Sequence, residues 1–186
     1  DWLVISKILS KFAPMYMFKR WIVWLSRIHH CRGFGIQSPT DYAFVRYVLN
    51  EHWPYYAYEL LKENDWLIRK LGRLYFRLAN WRQPNCMLAD HYRDYWKAGC
   101  YSIHFSTKIE NVELARLPIE DHLGYDELLG KCDERSVLVI EGICRDWNSW
   151  RDIKNDNRVG TTFDLYYCGI VLFDKKRYKH HYIINF

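Results

Sequence analysis

The chain has 186 residues and a mass of 22.7 kDa, the length of one domain, and a chain of this size buries about 70% of its surface on folding, so no disulfide or metal staple is required. Hydrophobic residues at 49% and charged residues at 26% exclude global disorder, and 9 Gly and 5 Pro exclude collagen-like or low-complexity sequence. The net charge of +5 is lopsided: residues 1–85 hold 13 Lys and Arg against 6 Asp and Glu, residues 86–186 hold 14 against 16.

Leu3, Val4, Ile5, Ile8, Leu9 and Phe12 recur at helical spacing, Pro14 breaks the pattern, and Phe18, Trp21, Ile22, Leu25 and Ile28 resume it. Both stretches read as amphipathic helices with basic outer faces carrying Lys7, Lys11, Lys19, Arg20 and Arg27. These charges leave no run of about 20 apolar residues for a membrane span and interrupt any secretory h-region. Two readings of residues 2–28 remain: packing on a parent domain, or peripheral attachment to an anionic surface such as lipid headgroups. No motif for specific nucleic-acid recognition accompanies the basic patch.

Arg32 to Asp41 is a loop, with Gly33 and Gly35 for positive φ, and Thr40 or Asp41 is expected to cap a helix through Leu49. An aromatic hinge, Trp53-Pro54-Tyr55-Tyr56-Ala57-Tyr58-Glu59, precedes short helix around Glu59–Glu63. A longer helix follows over Trp66–Ala79, with Leu67, Leu71, Leu74, Tyr75 and Leu78 on one side. The pattern changes near Pro84. Cys86–Ala89 reads as a strand ending at Asp90, His91–Ala98 as a helix stopped by Gly99, and Tyr101–Phe105 and Val112–Ile119 as strands, the latter ending at Glu120-Asp121. Asp126–Lys131 makes a helical turn or two. Ser136–Ile140 is a buried strand ending at Glu141-Gly142. Arg145–Asn155 is helical, and Val159–Phe163, Tyr167–Phe173 and His181–Phe186 are β-rich. The organisation is thus a helical region over 1–83 and an α/β region over 84–186, packed as one compact unit with helices on both faces of an open sheet. In such sheets a ligand sits beyond the carboxyl ends of the strands, which here carry Asp90, Ser106-Thr107, Glu120-Asp121 and Glu141-Gly142.

The six cysteines, Cys31, Cys86, Cys100, Cys132, Cys144 and Cys168, include no C-x-x-C pair, and several lie in apolar stretches. Buried free thiols in a reducing cytoplasm fit them best.

Three segments carry a family resemblance: Arg32-Gly33-Phe34-Gly35-Ile36-Gln37-Ser38-Pro39, Trp53-Pro54-Tyr55-Tyr56-Ala57-Tyr58-Glu59, and Ser136-Val137-Leu138-Val139-Ile140-Glu141-Gly142-Ile143 with the tail beyond Val159. The chain resembles a Bacteroidetes-type group of bacterial class I S-adenosylmethionine-dependent methyltransferase-like proteins. The resemblance covers both ends of the chain and little of its middle. It implies an α/β, Rossmann-like sheet of the class I methyltransferase type, with its last strand antiparallel and inserted as a hairpin, preceded by a helical N-terminal region. A cofactor site of that kind needs a glycine-rich turn after the first strand and an acidic residue after the second. Here Asp90-His91-Tyr92-Arg93-Asp94-Tyr95 runs on with no glycine before Gly99, and Ser106-Thr107-Lys108 follows the second strand with no carboxylate before Glu110. Between Asp90 and Ser136 at least one strand–helix unit is missing. Catechol-type relatives hold a divalent metal with Asp and Asn in the region of Glu141-Gly142-Ile143-Cys144; Glu141 alone here offers an oxygen.

The expectation is therefore a shortened, degenerate relative: a pseudoenzyme that acts as a binding or scaffold module, with Tyr92 and Arg93 filling the cofactor's space. The alternative is an active methyltransferase that binds S-adenosylmethionine near Asp90, Glu120, Asp121 and Glu141 and acts on a small acceptor. Each remaining constellation has a plainer structural reading. Glu120-Asp121 can be solvated acids. His29-His30 and His180-His181 lack convincing metal partners, and no metal is expected. Tyr92, Tyr95 and Trp96 can fill space rather than stack a base. Lys175, Lys176, Arg177 and Lys179 can solubilise a hairpin tip.

Overall fold

The computed structural model describes residues 17–106, 110–174 and 178–186. The expected helix over Leu3–Phe12, the segment Thr107-Lys108 and the basic residues Lys175–Arg177 lie outside them.

Helix α1 covers residues 17–26 and passes through a 3-10 turn, Ile28–His30. The following loop turns on Arg32, Gly33 and Gly35, all with positive φ. Helix α2 (Pro39–Phe44) is capped two residues before Thr40 and three before Asp41, by Ser38: the Ser38 hydroxyl accepts the Asp41 N–H at 3.3 Å, and Pro39 fills the first helical position, where no donor is needed. The chain then widens into a π-turn, Val45–Leu49. After the short α3 (Ala57–Leu60) comes α4 (Trp66–Arg82), whose cap Asp65 accepts the Leu67 and Ile68 N–H groups at 2.7 and 2.9 Å. The expected face of α4 is buried through Leu71, Leu74, Tyr75 and Leu78. Gly72 and Gly99 let α5 (Arg93–Gly99) approach closely; a Cβ at Gly72 would run into the Tyr95 ring.

The strands are β1 (Cys86–Leu88), β2 (His104–Phe105), β3 (Val112–Pro118), β4 (Cys132–Glu141), β5 (Thr161–Asp164), β6 (Cys168–Leu172) and β7 (His180–Ile183), with α6 (His122–Leu129) before β4 and α7 (Trp147–Asn155) before β5. They form one mixed seven-stranded sheet in the order β2-β1-β3-β4-β6-β5-β7. The fold class is α/β. Alternation along each strand feeds two cores. Val137, Val139, Leu114, Met87 and Phe163 face the layer of α2, α4 and α5. Leu138, Ile140, Ala115, Leu117 and Val171 face Trp150 and Ile153 of α7 and Leu128 and Leu129 of α6.

The antiparallel strand is not the last one. β6 runs antiparallel to both β4 and β5, whereas β7 returns parallel to β5. The reason is geometric: both edges of β6 are already paired, so the next strand must pass over β5 to the open edge. There the tail meets the N-terminal helix. Arg27 Nη1 pairs with Asp164 Oδ1 at 2.8 Å, the Asn185 side-chain amide donates to the Trp24 carbonyl at 3.1 Å, and Asn185 N–H donates to the His30 carbonyl. No helix among the described residues is long and apolar enough to cross a membrane.

Candidate functional site

The parallel strands β1, β3 and β4 end side by side, and their carboxyl ends converge on one buried cation. Arg116 alternates into the α4-facing side of β3, where its neighbours are apolar, yet it is 6% exposed and keeps its charge. Its Nη1 contacts Asp90 Oδ1 at 2.6 Å, just past β1. Its Nη2 and Nε contact Glu141 Oε2, at the last residue of β4, at 2.9 and 3.0 Å. The Tyr75 hydroxyl, from α4, donates to the same Oε2 at 2.7 Å. A cation this buried survives only when paired and hydrogen-bonded, and two strand-end carboxylates do that. Burial opposes the Arg116 charge, but Glu141, Tyr75 and Asp90 outweigh it and raise its pKa. Partial burial pushes the Asp90 carboxyl up, yet the Arg116 guanidinium wins and holds it below the usual carboxylate range. Burial drives the Tyr75 hydroxyl well above the usual phenol range, with Cys168 and Glu141 adding to it.

Aromatic rings close the floor around this triad. Tyr75 stacks on the fully buried Trp96 at 4.6 Å with planes 9° apart. Tyr92 meets Tyr75 edge-on at 4.9 Å, and the Arg116 guanidinium lies 6.0 Å from the Tyr92 ring. Tyr92 holds this place in a left-handed backbone, φ 61°, a conformation that costs a bulky L-residue about 1–2 kcal/mol. The Trp96 indole N–H, donated to the His91 carbonyl at 3.2 Å, ties the same turn down. Above the floor lies an open cleft of about 610 Å³ bordered by Leu61, Glu63, His91, Tyr92, Arg116, Glu141 and Arg145.

The residues singled out from the sequence are thus divided. Asp90 and Glu141 come together on Arg116. Glu120 does not join them: it pairs with Arg145 at 3.0 Å on the surface. Asp121 is the N-cap of α6, accepting the Gly124 N–H at 2.9 Å. Tyr92 and Arg93 both border the cleft; Tyr92 is half-buried, whereas Arg93 is exposed, its guanidinium 5.2 Å from the Phe105 ring. Tyr95 donates its hydroxyl to the Leu61 carbonyl; with Trp96 it fills space between helices. His181 contacts the Thr162 hydroxyl at 2.8 Å, and His180 stacks on Tyr182. Among the described residues no group of three His, Cys, Asp or Glu side chains is placed to hold a metal ion. All six cysteines are free thiols. Lys179 donates to the Asp156 carbonyl at 2.6 Å.

Sequence reasoning missed Arg116, Tyr75 and Asp164. Arg116 had one visible signal, a charge at the centre of the apolar run Val112–Ile119. Tyr75 was hidden among apolar helix residues. Asp164 continues the series of carboxylates at strand ends; it accepts from Arg27, from the Trp150 indole N–H at 3.3 Å and from the Tyr166 N–H.

Comparison with protein-family models, with curated proteins and with solved structures gives no match to this chain.

Proposed function

We propose that the chain is a shortened relative of the class I methyltransferase fold whose cofactor crevice is filled at its base, and that it serves as a binding or scaffold module without methyl transfer. One observation carries this reading: the Asp90–Arg116–Glu141 triad and the Tyr92 ring stand at the ends of β1, β3 and β4, where a nucleoside sugar and its amino-acid tail would have to lie. The strand-end carboxylates Asp90 and Glu141 already serve Arg116. Glu141 Oε2 alone takes contacts from Arg116 Nε, Arg116 Nη2 and Tyr75. Two features of the sheet support the family reading. An antiparallel strand, β6, is inserted next to β4 by the hairpin from β5, and only six residues separate β2 from β3, too few for a further strand–helix unit.

A second reading, an S-adenosylmethionine-dependent methyltransferase acting on a small acceptor, is favoured by one observation: the cleft of about 610 Å³ over the triad is large enough for a ligand and reaches Glu141. Calorimetry with S-adenosylmethionine and S-adenosylhomocysteine separates the two. No heat with either compound is expected; micromolar binding of either overturns the first reading in favour of the second.

A further inference from the structure

A second cavity lies on the other side of α4 and shares no lining residue with the cleft above the triad. Its volume is about 500 Å³, and it opens between α4, the segment after the π-turn and the end of the tail. Its wall is strongly cationic. Arg69, Arg73 and Arg77 recur every four residues on one stripe of α4, with Lys70 beside them. Like charges at this spacing repel, and an ordinary exposed helix relieves them with acidic neighbours. Here no salt bridge among the described residues involves any of the four. The acid on the wall, Glu51, accepts from the Tyr55 hydroxyl at 2.8 Å.

Each cation is held by neutral partners. Arg77, 7% exposed, donates to the Val48 and Leu49 carbonyls at 2.6 and 2.8 Å. Arg69 donates to the Glu63 carbonyl, Arg73 lies over the Tyr58 ring, and Lys70 sits 4.4 Å from the Phe186 ring. Carbonyls and ring faces orient a cation but leave its net charge in place.

An independent observation points the same way. Asn50 is 8% exposed and lines this cavity, and its side-chain amide nitrogen is buried with no hydrogen-bond partner. A buried donor is normally satisfied, so an orphan one beside uncompensated cations marks the place of an acceptor. The wall has surplus donors and surplus positive charge together. A phosphate answers both, with about two negative charges and three acceptor oxygens, where a carboxylate brings one charge and two oxygens. Trp24, Trp66 and Phe186 complete the wall with apolar surface.

We propose that this cavity binds a phosphate group, held by Arg73, Lys70 and the Asn50 amide, with the apolar part of the ligand against Trp66 and Phe186. The electrostatics of the wall agree: burial, then Arg77 and Arg20, pull the Lys70 ammonium down to about 8, and burial, then Arg77, Arg32, Lys70 and Arg46, pull His52 down. A bound dianion relieves both. The phosphate has two possible sources. It belongs to a soluble phosphate ester, or to a phospholipid headgroup, since α1 presents Phe18, Trp21, Ile22 and Leu25 to solvent next to Trp24.

Two assays at low salt test the proposal. Calorimetry with pyrophosphate reads the soluble source, and flotation with phosphatidylcholine vesicles containing phosphatidic acid reads the lipid source. Binding in at least one arm is expected, weakened about tenfold or more by Arg73→Gln. Asn50→Asp is the sharper variant. It places a carboxylate among the cations, so it should raise the melting temperature of the free protein while abolishing anion binding, a pair of effects a packing role would not produce. Binding in neither arm overturns the proposal, as does binding that survives both variants unchanged.

Discussion

Replacing Arg116 by Met tests the strand-end triad most directly. The substitution removes the guanidinium and leaves Glu141, whose side chain is 16% exposed, with the Tyr75 hydroxyl as the donor that remains at Oε2. Leaving one partner of a buried pair uncompensated costs about 3–5 kcal/mol, a large share of the roughly 5–15 kcal/mol that holds a domain of this size together. Asp90 behaves differently. Its side chain is 59% exposed, water takes over its solvation, and Asp90→Asn should cost no more than about 1 kcal/mol. The combined change Arg116→Met with Glu141→Met removes both charges and should recover most of the loss, the remainder being the orphaned Tyr75 hydroxyl at about 1–3 kcal/mol. Adding Tyr75→Phe should bring the triple variant close to the parent. Urea unfolding followed by tryptophan fluorescence, at constant m-value, gives all four numbers. An Arg116→Met loss below about 1 kcal/mol, or an Asp90→Asn loss equal to it, would refute the account of a buried charge held by Glu141.

Three further outcomes follow from the geometry. Tyr92 has φ 61°, so Tyr92→Gly should be more stable than Tyr92→Ala by about 1 kcal/mol in thermal melts, the reverse of their usual order, because glycine alone carries no left-handed penalty. A Cβ at Gly169 would run into the buried Trp150 ring, so Gly169→Ala should lose about 1–3 kcal/mol in urea by overpacking, and Trp150→Phe in the same chain should return part of it. Stability should rise with alkali before it falls. Lys70 sheds its proton at about 8 in the folded chain but near 10.5 when unfolded, so the unfolded state binds more protons between these values and folding gains up to about 3 kcal/mol across them. From about pH 9 the thiols of Cys168, Cys132 and Cys144, and above pH 10 the hydroxyls of Tyr75 and Tyr92, all raised by burial first, keep protons that the unfolded chain loses, and the gain reverses. Urea midpoints from pH 7 to 11 should pass through a maximum, and Lys70→Gln should flatten the rising limb.

The seven strands were legible because each is a short apolar or β-branched run closed by a charged or turn residue, Ser136–Ile140 most clearly. Tyr101–Phe105 was read too long. The chain first turns after Gly99, and only His104–Phe105 pairs with β1. What a linear reading could not supply was strand order. β7 could be placed beside β5 only once β6 was known to be paired on both sides. The triad was hidden for the same reason, since Arg116, Asp90, Glu141 and Tyr75 come from three strand ends and a helix. The cationic stripe of α4 was visible as Arg69, Arg73 and Arg77 at four-residue spacing, but a solvated helix face has the same pattern. Only the burial of Arg77 and Asn50 distinguishes the two.

The seam between α1 and the tail joins segments synthesised far apart in time: Trp24 and Asn185 are 161 residues apart. At roughly 5–20 residues per second, the ribosome takes on the order of ten to thirty seconds to extrude the partner that this helix waits for. During that interval Trp24, Arg27 and His30 lack the tail partners Ile184 and Asn185 that they hold in the folded protein, so the docking of this helix is a late event in biogenesis.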